Sequence, residues 1–307
     1  MVTVYDCDDP EQRDEGMRLA REALERGDVV VIPTDTVYGV AVDAFNPAAV
    51  QRLQDAKGRG GRKTPPAVLV PDAVTINRLA MRVPGAVHQL TPRFWPGGLT
   101  IVLQAQSTLE WDLGDTEGTV AIRMPRNDVA LELLREVGPL AVSTASVAGL
   151  PPATTGAEAA AIFGDAVAVV LDGGAGGGAE VADEAGADPD AGVDGDAGAA
   201  AGSGDTAVAG ASVSDAGVAQ KSTILDATVA VESGKYRVLR RGVVTVEQLR
   251  IALGETAVID VDPSDGGTPP AVAELTEPAE LAEPTAPTEP DAAEASAPAA
   301  PVTSPEA

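Results

Sequence analysis

Asp28-Val-Val-Val-Ile-Pro33-Thr-Asp-Thr-Val-Tyr-Gly39 couples an apolar run to a cluster of polar side chains. Val29, Val30, Val31 and Ile32 stand in a row, so residues 28–33 read as a strand buried on both faces. Thr34, Asp35, Thr36 and Tyr38 follow at once. In open α/β sheets ligands sit in the crevice beyond strand C-termini. These side chains therefore either bind an amino acid or a sugar or form a capped turn, and the spacing alone favours neither.

Outward from this stretch, helix and strand signals alternate. A helix over 10–26 precedes it, with Met17, Ala20 and Leu24 on one face. Asn46-Pro47 starts a second helix as cap and first-turn proline. Residues 67–70, 99–103, 119–124, 140–143 and 166–171 read as strands. Asn127 caps a helix closed by Gly138. Residues 222–225 and 236–239 read as further strands, and Thr245-Val-Glu-Gln248 is a capping box that opens a last helix, stopped by Gly254. The alternation predicts an α/β fold: one domain over 1–260, with a twisted, mostly mixed sheet flanked by helices.

Two segments stand apart from that domain. Residues 172–220 and 261–307 hold ten acidic residues each and no Lys or Arg, so together they account for −20 of the formal −26. The first is Gly, Ala and Asp, the second Pro, Ala, Glu and Thr. Neither has enough large apolar side chains to offset its ordering entropy. They are expected to be a disordered acidic insert within the domain and a disordered tail. The strong acidity is thus a property of two appendages and says little about the partners of the folded part.

The single cysteine, Cys7, excludes an intramolecular disulfide and suits a reducing cytoplasm. One histidine, His88, in a helix-like stretch, leaves too few soft ligands for a Cys/His zinc site. No apolar run approaches the ~20 residues of a membrane helix, and the first twenty residues do not resemble a signal peptide. The expected localisation is cytoplasmic, away from the membrane.

Against this acidic background, Lys57-Gly-Arg59-Gly-Gly-Arg62-Lys63 crowds four cations into seven residues. Three glycines let the backbone approach a ligand closely, and a triphosphate is the natural small polyanion to join such charges. No Walker A spacing is present. Arg123 ends a strand and is either a salt-bridged edge residue or a carboxylate clamp. Ser143-Thr144-Ala145-Ser146, Ser222-Thr223 and Arg240-Arg241 also lie at strand ends. Together they describe hydroxyls and guanidiniums suited to a substrate bearing both carboxylate and phosphate.

Seven motifs in order resemble the YrdC-like threonylcarbamoyl-AMP synthase family: Pro33-Thr-Asp-Thr-Val-Tyr-Gly39, Lys57-x-Arg59-x-x-x-Lys63, Phe94-Trp-Pro-Gly-Gly-Leu-Thr100, Ala121-Ile-Arg-Met-Pro125, Ala141-Val-Ser-Thr-Ala145, Ser222-Thr-Ile-Leu-Asp226 and Val238-Leu-Arg-Arg-Gly242. The resemblance implies a nucleotidyltransferase. It joins L-threonine, bicarbonate or CO2, and ATP into threonylcarbamoyl-AMP and releases pyrophosphate. The product serves the threonylcarbamoyl modification of adenosine 37 in tRNA, through a downstream transferase complex. By the same resemblance, Thr36, Arg123, Ser143 and Ser222 would hold threonine. Lys57, Arg59, Lys63, Thr119, the Ala145 backbone and Arg240 would hold ATP, with Mg2+ accompanying the nucleotide and no dedicated metal residues. No general base is implied. The alternative is a non-catalytic module that binds tRNA or double-stranded RNA. The chain departs from the family pattern at three places: Thr144-Ala145-Ser146 stands for Ser-Ala-Asn, Ala148-Gly149 for Ser-Gly, and Leu69 for His. The exchange of Asn for Ser146 shortens a two-headed amide to one hydroxyl.

Overall fold

The computed structural model describes residues 2–58, 63–147, 150–175, 221–254 and 257–261, all within one unit of the chain, Met1–Glu274. The disorder expected for the body of the insert, 176–220, and for the tail, 262–307, lies outside the described residues, as does Arg59. Asp172 ends one strand, with Gly173 to Ala175 described after it, and Val261 ends another.

In chain order the elements are β1 (Thr3–Asp6), α1 (Pro10–Glu25), β2 (Val30–Ile32), β3 (Gly39–Asp43), α2 (Pro47–Lys57), β4 (Ala67–Leu69), α3 (Ile76–Leu79), α4 (Val87–Phe94), β5 (Leu99–Gln104), β6 (Thr119–Arg123), α5 (Asp128–Val137), β7 (Leu140–Thr144), α6 (Gly156–Phe163), β8 (Val169–Asp172), β9 (Thr223–Asp226), α7 (Ala230–Ser233), β10 (Lys235–Arg240), α8 (Val246–Leu253) and β11 (Val258–Val261). The helix starts follow from their caps. Asp9 accepts from the Glu11 and Gln12 amides, Asn46 from Ala49, and Asn127 from Ala130. Thr245 and Gln248 form a reciprocal capping box.

Among the described residues the strands form one sheet in the order β1-β8-β2-β3-β7-β4-β6-β5-β9-β10-β11. It is mixed. The pairs β1/β8, β2/β8, β4/β6, β5/β9 and β10/β11 are parallel, and the others antiparallel. The apolar run behaves as its composition dictates. Val29 and Val31 enter one core, Val30 and Ile32 the other, because successive strand residues point to opposite faces. One core packs under α1 and α5 through Met17, Ala20, Leu24, Val129, Leu133 and Leu134. The opposite core takes Val50 and Leu53 of α2, Leu90 of α4, Phe163 of α6 and Leu249 of α8. Helices therefore cover both faces, as expected.

Cys7 is buried beside this framework, and burial pushes its thiol up to about 11, so it is uncharged at neutral pH. His88 is exposed on α4.

Candidate functional site

The polar stretch after β2 forms the capped turn, and Thr34, Thr36 and Tyr38 also line a cavity. The Thr34 hydroxyl donates to the Val37 carbonyl at 2.6 Å and accepts from the Thr36 amide at 3.2 Å, which closes a capped turn. That turn presents the Thr36 hydroxyl to Arg123.

Arg123 sits at the end of β6, an interior strand between β4 and β5, so it is not an edge residue. It is 6% exposed. Its guanidinium joins two segments through three bonds: Nε donates to the Gly97 carbonyl at 2.9 Å, one terminal nitrogen to Thr36 Oγ1 at 2.9 Å, and the other to Asp35 Oδ1 at 2.6 Å. Asp35 Oδ1 also accepts from the Arg126 amide at 2.9 Å. Burial works against the Arg123 charge, and Asp35 counters it. These bonds use three of the five N–H donors on the guanidinium.

A second cluster joins β5, β9 and β10. The Thr100 hydroxyl donates to Ser222 Oγ at 3.1 Å, and Arg240 donates to the Ser222 hydroxyl at 2.8 Å and to its carbonyl at 3.0 Å. Ser222 is buried and set by a close approach behind it. A Cβ on Gly242 would lie 2.2 Å from the Lys221 carbonyl oxygen, so only glycine lets the chain after β10 pass there.

Both clusters line one cavity of about 600 Å3. Its floor is a sheet face, with Ala67 and Leu69 of β4, Ala121 and Arg123 of β6, and Ile224 of β9. This differs from the expected crevice beyond the strand C-termini. In a sheet with so many antiparallel pairs, strand ends of both senses share an edge, so no single C-terminal edge exists to host the ligand. The described lining contains five cations, Lys57, Lys63, Arg123, Lys221 and Arg240, and no Asp or Glu, in a chain of formal charge −26.

The structure thus gathers Thr36, Arg123, Ser143, Ser222, Lys57, Lys63 and Arg240 around one space. One expected residue, Thr119, lies apart, and another, Ala145, sits within the cavity wall between Thr144 and Ser146 with its backbone groups already bonded. Thr119 is at the far end of β6, about 13 Å along the strand from Arg123. It donates to the Thr116 carbonyl at 2.7 Å and lines a different cavity of about 620 Å3. Ala145 is fully buried, its N–H bonded to the Tyr38 carbonyl at 2.7 Å and its carbonyl to the Ala153 amide at 2.8 Å. Lys57 lies in the cavity wall with its ammonium bonded to the carbonyls of Thr144 and Ser146. Sequence reasoning had not singled out Asp35 as the partner of Arg123, Thr100, or Lys221. Lys221 carried a signal, as the first cation after a long acidic stretch without any.

Tyr38 anchors the site from behind. Its hydroxyl lies 2.6 Å from both Asp172 Oδ1 and the Gly174 carbonyl and accepts from the Gly173 amide at 3.1 Å. Burial and Asp172 together push the phenol well above its usual range. No group of three or more potential metal ligands occurs among the described residues, and none of their helices is long and apolar enough to cross a membrane.

A family model described as "Telomere recombination", covering Sua5, YciO and YrdC, matches residues 22–184. A Mycobacterium tuberculosis protein named "Putative threonylcarbamoyl-AMP synthase" is 47% identical over 192 residues, which span 62% of this chain and 88% of that protein. The Bacillus subtilis protein named "Threonylcarbamoyl-AMP synthase" is 35% identical over 169 residues, covering 54% of this chain and 49% of its own length. Among solved structures, Pyrococcus abyssi Sua5 complexed with L-threonine superposes with a TM-score of 0.63 at 25% identity, over 86% of this chain and 63% of that one. The mixed sheet, the order of the motifs and these likenesses agree: the chain belongs to the Sua5/YciO/YrdC family.

Proposed function

We propose that this chain is a nucleotidyltransferase that makes threonylcarbamoyl-AMP from L-threonine, bicarbonate or CO2, and ATP, releasing pyrophosphate, for the modification of adenosine 37 in tRNA. The observation that carries the reading is the cavity itself. Five cations and no carboxylate line its described part, among them the buried Arg123 guanidinium, already oriented by Thr36 and Asp35. A triphosphate and an amino-acid carboxylate are the anions that suit it. The names of the relatives point to the same reaction.

In this reading Arg123 and Thr36 take the threonine carboxylate, with Ser143 and Ser222 on the remaining polar groups. Lys63 and Arg240 take the phosphates, joined by Lys221; Arg59 is retained on the resemblance. The threonine nitrogen adds to CO2 and loses a proton to give a carbamate. A carbamate oxygen then attacks the α-phosphorus of ATP and pyrophosphate leaves. Each step builds or moves negative charge, so positioning and fixed cations supply the acceleration. The described cavity residues offer no carboxylate to hold a metal; Mg2+ enters with the nucleotide, held by phosphates and water. The folded domain runs to Val261, interrupted by the acidic insert. The localisation proposed is the cytoplasm, and the product passes to a downstream transferase complex.

The deciding experiment incubates the protein with ATP, bicarbonate and L-threonine and follows pyrophosphate. Threonine-dependent release is expected, and Arg123→Lys should lower it through the threonine KM. Binding of tRNA or double-stranded RNA with no threonine-dependent pyrophosphate would make the chain a binding module instead.

A further inference from the structure

The resemblance puts Lys57 near the ATP phosphates, yet its ammonium is committed elsewhere. Its three protons meet three acceptors: the Thr144 carbonyl at 2.6 Å, the Ser146 carbonyl, and the Ser146 hydroxyl at 3.4 Å. The Ser146 amide donates back to the Thr144 carbonyl at 2.7 Å, so residues 144–146 form a tight turn at the end of β7. Its middle residue, Ala145, is tied to Tyr38 in the threonine-facing segment. Lys57 ties the two outer residues to the end of α2. Thr144, Ser146 and Lys57 all line the cavity.

We infer that Lys57 is a positioning residue, which fixes the Thr144–Ser146 turn as one wall of the cavity and does not itself bind phosphate. The inference rests on the proposed ATP and threonine site. Without the ammonium, the Thr144 and Ser146 carbonyls lose the donor that aims them at α2, and the wall they form loosens. A cation in that role also explains a half-buried lysine without an acidic partner among the described residues. Burial draws its pKa down to about 8, and backbone carbonyls supply the solvation that a counter-ion would give elsewhere. Ser146 fits the arrangement through its backbone, so the exchange of the family's usual Asn leaves the main contact in place.

The test compares Lys57→Met, which keeps the apolar stem, with Lys63→Ala, which removes an exposed cation of the same cavity. Affinities for ATP and AMP are measured by calorimetry, and hydrogen exchange is followed in peptides covering 140–153. Lys57→Met is expected to weaken ATP and AMP alike, by about tenfold, the scale of one lost hydrogen bond to a charged group. The preference for ATP over AMP stays within about twofold of wild type, and the Ser146 amide exchanges faster. Lys63→Ala is expected to lower the ATP preference and leave exchange unchanged. The inference is overturned if Lys57→Met erodes the ATP preference as Lys63→Ala does while exchange over 140–153 stays as in wild type. Should Lys57→Met fail to fold, Lys57→Arg is read in its place. Faster exchange with less AMP and ATP binding supports positioning, because a planar fork cannot meet three acceptors arranged as a tripod; unchanged exchange with ATP binding retained refutes it. If wild-type protein binds neither nucleotide, the ATP reading fails, while the exchange measurement still decides whether Lys57 holds the turn.

Discussion

Arg123→Met is the most demanding test of the site, because one side chain is asked both to hold the fold and to grip the substrate. Methionine fills much of the arginine volume, so the change removes charge and hydrogen bonds with little cavity. Removing one partner of a buried ion pair costs about 3–5 kcal/mol. Here Asp35 is 16% exposed on its side chain and keeps the Arg126 amide, so about 2–3 kcal/mol is the appropriate scale. For a domain of this size about 1 kcal/mol corresponds to about 2–4 °C, which gives a fall in Tm of about 4–12 °C. Asp35→Asn should cost a similar amount, since it leaves a buried guanidinium with only neutral partners. The double variant should cost less than the sum by at least about 1 kcal/mol, because residues in direct contact are coupled. In the pyrophosphate assay, loss of one charge-assisted hydrogen bond, worth about 1.5–3 kcal/mol, raises the threonine KM by at least about tenfold. Urea melts and steady-state kinetics on the four proteins read both quantities. Strictly additive stabilities together with an unchanged threonine KM in Arg123→Met would refute the reasoning.

Three further outcomes follow from the geometry. Lys57 has a folded pKa of about 8 against 10.5 in an exposed chain, so between these pH values the unfolded state binds more protons and stability rises with pH. Urea titrations should show that slope in wild type and a shallower one in Lys57→Met; equal slopes would mean that burial does not depress this ammonium. Gly242→Ala places a Cβ 2.2 Å from the Lys221 carbonyl oxygen and 2.4 Å from the Ser222 carbonyl carbon. It should cost about 1–3 kcal/mol as overpacking and, by shifting Ser222, lower kcat/KM for threonine beyond the loss of folded protein; a variant with normal kinetics would show that Ser222 does not contact substrate. Tyr38→Phe removes the hydroxyl that ties the residue before β3 to Asp172 and Gly174 and should cost about 1–2 kcal/mol, read by thermal melting. No loss of stability would show that Asp172 and the Gly173 amide are satisfied by water.

How much of this was legible depended on what each element buries. Interior strands announce themselves because both faces are covered. The Val29–Ile32 run was readable for that reason, and so were Leu99–Leu103 and Leu140–Ser143. The caps Asn46, Asn127 and Thr245 were readable because an orphan amide demands a short polar acceptor. The two edge strands escaped. Thr3–Asp6 and Val258–Val261 hold only exposed and half-buried residues and include acids, so their composition resembles that of the loops beside them. Gly39–Asp43 escaped for another reason. Its glycine is required because a Cβ would sit 2.5 Å from Val142, yet glycine reads as a turn.

The site shows the same division one level up. Residue types were legible because the chemistry of the ligand selects them: guanidiniums for carboxylate and phosphate, hydroxyls for an amino acid. The direction each side chain takes was not, since it depends on partners remote in the chain. Asp35 and Arg123 are separated by 88 positions, and Lys57 and Ser146 by 89. A lysine in a cationic motif therefore looks like a phosphate ligand until its acceptors are known. What separates Lys63 from Lys57 is solvent exposure, which six residues of sequence do not encode. Lys63 is exposed and offers its whole charge to an incoming anion, whereas the ammonium of Lys57 is already surrounded by carbonyl oxygens. The phosphate-binding capacity of the cavity should then depend on its exposed cations, Lys63 and Lys221, and the shape of its Thr144–Ser146 wall on the half-buried Lys57.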